Sequence, residues 1–323
     1  MYPLKFEPLL KSIVWGGDKI VPYKGIESTA KNVGESWELS AVSGNESVIA
    51  NGEFAGGNIV ELIKEYKAEL LGEKVYADCG DTFPILVKFI DARDDLSIQV
   101  HPDDDLAATR HNGSKGKTEM WYVVKADEGA HLMSGMSQQI TPEEYVRRID
   151  DNTITDVLCD YKVSAGDVFF LPAGRVHSIG RGCFIAEIQQ TSDITYRIYD
   201  FGRLGLDGKP RELHVEQSKD AVDYSVLDDY KTHYEPVLNH PVSLVECRYF
   251  KTQLLDLTET LSVPVKANDS FMIVICLEGT GKLTDSNGYD LDLKQGETVL
   301  IPACLDSVSL IPLEKMKALT CFI

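Results

Sequence analysis

Basic residues are scarce in this 323-residue chain: 32 lysines and arginines stand against 51 aspartates and glutamates, a net charge of −19. With a pI near 4.8, no overall field draws the molecule to a nucleic acid backbone or an anionic membrane, and neither is expected as a partner. Long hydrophobic runs are missing too. None approaches the ~20 residues that cross a bilayer, and the opening MYPLKFEPLL lacks the apolar core and cleavage site of a secretory leader. Cysteine supplies no framework, because the seven (79, 159, 183, 247, 276, 304 and 321) are odd in number and form no CxxC pair. Several lie in apolar runs such as VICLEG and ALTCFI, so free thiols and a cytoplasmic setting are expected. Neither a Walker A loop nor a GxGxxG fingerprint occurs, which leaves nucleotide and nicotinamide sites without support.

What is present reads as an ordinary folded protein, 43% hydrophobic and 26% charged. At ~100–200 residues per domain, the length allows two domains or one large double-layered fold. Short runs of β-branched and aromatic residues, punctuated by Gly, Pro, Asn and Asp, predict strands over Ile85–Ile90, Met120–Val124, Asp167–Leu171, Phe184–Gln189, Phe271–Leu277 and Thr298–Ile301. Helical patterning is confined to about 56–72, 141–158 and 213–224. Within the first, apolar residues at 59, 60, 62, 63, 66, 70 and 71 form one stripe closed by Gly72. The second opens on Thr141-Pro142-Glu143-Glu144, a capped start with acids near the positive end of the dipole.

The segment Gly166-Asp-Val-Phe-Phe-Leu-Pro172-Ala-Gly174 has an echo in Gly296-Glu-Thr-Val-Leu-Ile-Pro302-Ala-Cys304. Each follows a strand that ends in an acid and a glycine, Gly129 in the first half and Gly279 in the second. The pairing predicts two related β-barrels.

Only the first half carries a chemical constellation. In a strand, Ser97, Gln99 and His101 face one way, because side chains alternate. Lys117 and Glu119 alternate likewise at the start of the next strand, and His177 lies just past the turn Pro172-Ala-Gly174. Taken singly, a histidine beside proline or a glutamate on a strand is an ordinary structural residue. Jointly, Gln99, His101, Glu119 and His177 offer two imidazoles and two oxygens, a set suited to zinc or another borderline divalent ion. Lys117 beside Glu119 is a candidate proton shuttle if burial lowers its pKa, with Glu187 and Asp193 as carboxylate alternatives. Counted from Gly296 as from Gly166, the place of His177 falls on Ser307, and no histidine follows His240. The second barrel is therefore expected to lack a metal site.

The Gly166–His177 pattern resembles the second motif of the cupin superfamily, and Gln99–Glu119 resembles its first. With glutamine where many cupins carry histidine, the elements QVHPDD, KTEMWY and Tyr196-Arg197-Ile198-Tyr199-Asp200 in that order resemble the type I phosphomannose isomerases. So do Trp15-Gly-Gly, Gly34-Glu-Ser-Trp-Glu38 and Phe83–Phe89; the matching stretches cover residues 4–203. The resemblance implies a mainly β fold of two cupin-like (jelly-roll) β-barrels packed together, with a few helices in a small insertion. Residues 1–235 would form the catalytic domain, and 236–323 a degenerate cupin-like domain. It also implies the metal-dependent interconversion of D-mannose 6-phosphate and D-fructose 6-phosphate, with one divalent ion, most commonly Zn2+, on Gln99, His101, Glu119 and His177. Arg197 would act in the pocket on sugar or enediolate oxygens, and Ser97, Lys88 and Arg203 would hold the phosphate. A small phosphosugar is the expected partner of a monomer or small homo-oligomer. Two other readings use the same residues: an iron(II) dioxygenase built on His101, Glu119 and His177, or a non-catalytic sugar-binding cupin. The second would be marked by loss of a ligand or of Arg197, and none is lost.

Overall fold

The computed structural model describes residues 1–323 and is mainly β, with twenty strands and six short α-helices. No helix is long and apolar enough to cross a membrane. The strands form three antiparallel sheets whose hydrogen-bonded paths stay open at their edges. The central seven-stranded sheet runs, in spatial order, Lys231–Thr232, Val168–Leu171, Glu119–Ala126, Cys183–Gln190, Ile85–Asp91, Val33–Leu39 and Leu9–Gly17. A five-stranded sheet runs Tyr196–Tyr199, Ile98–Val100, His177–Ile179, His131–Met136 and Leu158–Lys162. The third, of eight strands, is built around the long strands Met272–Asp285 and Ser307–Phe322.

The middle of the central sheet is covered on both faces, so its inner strands, Val168–Leu171, Glu119–Ala126, Cys183–Gln190 and Ile85–Asp91, are mostly apolar instead of alternating strictly with polar residues. From one face Val87, Phe89, Met120, Tyr122, Phe184, Ala186 and Ile188 join a core with Leu244, Leu254, Ile273, Ile275 and Leu319 of the third sheet. From the other, Ile90, Trp121, Val123, Phe169, Leu171 and Ile185 pack with Leu132 and Ile179 of the five-stranded sheet. Lys88, Glu119 and Glu187 lie on this second face, at the alternate positions of the same strands. The chain start crosses between units: Leu4 and Lys5 pair with Leu300 and Val299 of the third sheet.

The sequence echo is a structural one. Gly166 and Gly296 both turn through positive φ, 94° and 81°, a backbone region open to glycine at little cost. Gly166 N donates to Val123 O and Val123 N to Asp167 O; Gly296 N donates to Cys276 O and Cys276 N to Glu297 O. Beyond the turn, Leu171 pairs with Glu119 and Ile301 with Met272. Met272 thus stands where the first unit has Glu119. It lies in a closed apolar cluster with Val274, Val299, Ile301, Val308 and Leu310.

The helices are Ile20–Lys24, Ile59–Leu71, Glu73–Cys79, Asp104–Arg110, Pro142–Asp150 and Val215–Ala221. The stripe of Ile59–Leu71 buries Ile59, Leu62, Ile63, Leu70 and Leu71, with a kink at Lys67. Thr141 caps the next predicted helix by accepting from Glu144 N, although the helix ends at Asp150 and a 3-10 turn, Ile154–Val157, completes the expected segment. The short helices at 20–24, 73–79 and 104–110 were not predicted, being too brief to show a periodic stripe.

Candidate metal centre and its pocket

Two sheets bring the donor residues together. His177 pairs with Gln99, and Arg197 with the other edge of Gln99, in the five-stranded sheet. Glu119 comes from the facing strand of the central sheet, and His101 from the chain just past Val100. One ligand atom each from His101, Glu119 and His177 lies within 4.8 Å of the others, and all three residues are buried.

Both imidazoles are oriented by the backbone. His101 Nδ1 donates to Ile194 O at 2.9 Å, and His177 Nδ1 donates to Arg175 O at 2.8 Å. Burial, with the Lys117 charge adding to it, holds His177 down at about 3 and His101 well below its ordinary value. Both rings are therefore neutral near pH 7, and with Nδ1 carrying the hydrogen, each Nε2 presents a lone pair. His177 Nε2 stands 3.3 Å from Glu119 Oε1, and His101 Nε2 3.5 Å from Glu119 Oε2. Glu119 Oε1 is fully buried and has no hydrogen-bond partner. Acceptors converging on one buried carboxylate suit a cation, and the ammonium of Lys117 supplies part of one. It lies 3.0 Å from His101 Nε2 and contacts Glu119 Oε2. Gln99 Nε2 lies 3.3 Å from His177 Nε2. The donor set fits a divalent ion, with Nδ1-to-carbonyl bonds of the kind that fix metal-binding histidines.

A pocket of about 360 Å3 opens beside these donors. Of the residues expected at the site, it is lined by Lys88, Ser97, Gln99, Lys117, Glu187, Asp193 and Arg197. Arg203 is not in its wall: its guanidinium binds Asp200 at 2.7 Å and Asp95 O at 2.5 Å. Lys88 is paired, 3.2 Å from Glu187 and 3.8 Å from Glu35, over the ring of Trp37. Burial works against its charge, but Glu35 and Glu187 outweigh it and raise its pKa. Burial would likewise raise Glu187, yet Lys117, Lys88 and a 2.8 Å bond from Trp121 Nε1 hold it at about 2. Glu119, deeper and facing Glu187, is pushed up to about 7.

Glu35, Trp37 and Arg211 also line the pocket and were not singled out. Glu35 and Trp37 sit in the Gly34–Glu38 stretch that carries part of the family resemblance, at alternating positions of a strand, Val33–Leu39, that the apolar pattern does not predict. Arg211 reaches the wall through a long loop that gives no periodic signal, held there by Asp200 at 2.7 and 2.5 Å.

Residues 4–120 match the catalytic domain of phosphomannose isomerase type I, and residues 241–311 the cupin domain of mannose-6-phosphate isomerase. The chain is 35% identical over 302 residues to mannose-6-phosphate isomerase ManA of Bacillus subtilis, covering 93% of each. The chain belongs to the type I phosphomannose isomerase family. A Streptococcus mutans mannose-6-phosphate isomerase is 33% identical over 94% of each chain. In structure, the chain superposes on a mannose 6-phosphate isomerase from Bacillus subtilis with a TM-score of 0.90, 29% identity and full coverage of both. The family match reaches past the last motif of the sequence resemblance, into the second unit.

Proposed function

We propose that this phosphomannose isomerase family member interconverts D-mannose 6-phosphate and D-fructose 6-phosphate. The observation that carries the reading is the pairing of the buried His101–Glu119–His177 acceptors with a pocket walled by Arg197, Lys88 and Lys117. An aldose–ketose isomerase moves a proton between C2 and C1 through an enediol(ate), and charge on O1 and O2 must be stabilised. Gln99, His101, Glu119 and His177 would hold one divalent ion, Zn2+ in this proposal. When bound, the ion supplies Lewis acidity toward the sugar oxygens.

Around it the chain does the rest. Arg197, whose Nε is buried without a partner, donates to a sugar or enediolate oxygen. Lys117, Glu187 and Asp193 are the candidates for carrying the proton. Lys117 is favoured by its place against the donor cluster, Glu187 is held ionised by two lysines, and Asp193 is exposed at the pocket wall. Ser97 and Lys88 take the phosphate from within the pocket, and Arg203 contributes by bracing Asp200, which also holds Arg211. Residues 1–235 would then carry the chemistry and 236–323 a degenerate cupin-like unit, whose apolar Met272 cluster supports that assignment. A cytoplasmic setting and a monomer or small homo-oligomer complete the proposal; the seven free cysteines support the first.

The test is a coupled assay with mannose 6-phosphate before and after verified chelation. Conversion that falls with the metal and returns on adding Zn2+ is expected. Full activity in metal-free protein, or oxygen uptake without isomerisation, contradicts the reading.

A further inference from the structure

We infer that Tyr249, in the second unit, is a positioning residue for the segment that carries Lys117 and Glu119. The inference rests on the metal-site reading above. Tyr249 lies in the turn between strands Val242–Glu246 and Lys251–Leu257, far along the chain from every donor residue. Its hydroxyl donates to Asp104 Oδ2 at 2.9 Å. The other oxygen of Asp104 accepts from Gly116 N at 2.9 Å and from Gln190 Nε2 at 3.1 Å. Gln190 Oε1 in turn accepts from Thr118 N at 2.9 Å, and Gln190 N donates to Thr118 O at 3.0 Å. Residues on both sides of Lys117 are thus fixed by one carboxylate and one amide, and that carboxylate is aimed by a hydroxyl from the other unit.

The same carboxylate lies three residues beyond His101, so it links both chain segments that meet at the donor cluster. Lys117 N donates to Pro102 O at 3.1 Å, closing the link. The fit is tight: a Cβ on Gly116 would lie 2.6 Å from Asp104 N and from Asp103 C. Without the Tyr249 bond, nothing on the Oδ2 side fixes the angle of the Asp104 carboxylate, and its bonds to Gly116 N and Gln190 Nε2 are weakened. The Gly116–Glu119 segment then loses its fixed distance to His101. Partners bonded directly to a metal ligand are worth about 10–100-fold in affinity or activity, and Tyr249, acting through Asp104, is expected at the lower end of that range. The second unit, with no donor cluster of its own, thereby contributes to the site in the first.

The experiment compares wild type, Tyr249→Phe and a control, Tyr23→Phe. Tyr23 donates to Leu277 O at 2.7 Å, another bond between the units but remote from the donor cluster. Each zinc-loaded protein is mixed with excess EDTA and metal release is timed; kcat and KM for mannose 6-phosphate are measured in parallel. Tyr249→Phe is expected to release zinc about tenfold faster and to lose kcat by about the same factor, with KM within about twofold. Tyr23→Phe is expected to change neither. Combining Tyr249→Phe with Asp104→Asn should add little to either single defect, because both act through one chain of bonds. Release and kcat equal to wild type in Tyr249→Phe overturn the inference, and so does a defect that Tyr23→Phe shares. If wild type fails to isomerise mannose 6-phosphate, the functional reading falls, and the EDTA comparison still decides the role of Tyr249.

Discussion

Glu119 occupies an unusual electrostatic position, fully buried, with two imidazole lone pairs and one ammonium around its carboxylate. Replacing it with glutamine keeps its shape and removes the charge that a divalent ion needs. Glu119→Gln is expected to fold and to retain at least about tenfold less metal after dialysis, read by elemental analysis. Glu187 gives a pH signature. Its pKa is about 2 in the folded protein against an ordinary 4.5, so between those values the unfolded chain binds more protons. The stability it contributes is present above pH ~4.5 and is lost as pH falls toward 2. Wild type should therefore lose urea stability over that window more steeply than Glu187→Gln, and parallel curves for the two proteins would show the assignment to be mistaken. Of the candidate residues, the proposed metal donors Gln99 and His101 were legible because alternation puts them on one face. Arg203 was not, because what turned it from the pocket is a carboxylate, Asp200, shared with an arginine eight residues further on.

At the level of elements, the strands most legible in the sequence are those of the central sheet. Ile85–Asp91 pairs in register with Phe184–Gln190, and covering both faces makes each mostly apolar, broken by the site residues Lys88 and Glu187. The long strands Met272–Asp285 and Ser307–Phe322 were less so, because they are buried at one end and exposed in the middle. The junction of two helices shows how an element end can be fixed by a remote backbone. Gly72 has φ 95°, and a Cβ there would lie 2.1 Å from Asp269 O. The Asp269 carboxylate also accepts from Glu73 N and Lys74 N, at the start of helix Glu73–Cys79. Gly72→Ala is expected to cost at least about 2 kcal/mol, combining backbone strain with that contact. Chemical denaturation measures it; a loss below about 0.5 kcal/mol would show that the junction relaxes freely.

Across the whole molecule, the two units are joined by a large apolar core and by the buried ammonium of Lys24, which is paired within the first unit and bonded to the second. Lys24 Nζ lies 2.6 Å from Glu38 Oε2 and also donates to Gly296 O, in the turn of the second unit. Ser36 Oγ donates to the other Glu38 oxygen at 2.5 Å. Burial raises the Glu38 pKa despite the neighbouring lysine. Removing one partner strands the other, so Lys24→Met is expected to cost ~3–5 kcal/mol. The double variant Lys24→Met/Glu38→Leu should recover the part of this loss that comes from the stranded charge, but not the bonds to Gly296 O and from Ser36 Oγ. Urea midpoints of the two variants decide it, and equal losses in both would mean that the pair itself has little weight.

The scarcity of basic residues determined by itself that this protein has no general attraction for polyanions, because net charge is a sum that folding does not change. The sequence also carried the strand periodicity and the candidate donor residues, since each depends on residue type and short spacing. Only the tertiary structure decided where the few cations act. Folding placed Lys88 between two carboxylates, set Arg203 behind Asp200, brought Arg211 to the pocket wall, and put Lys117 against His101 and Glu119. Local potential depends on distance and burial, and both are fixed by contacts between residues far apart in the chain. An acidic molecule can therefore hold a site suited to a phosphosugar dianion.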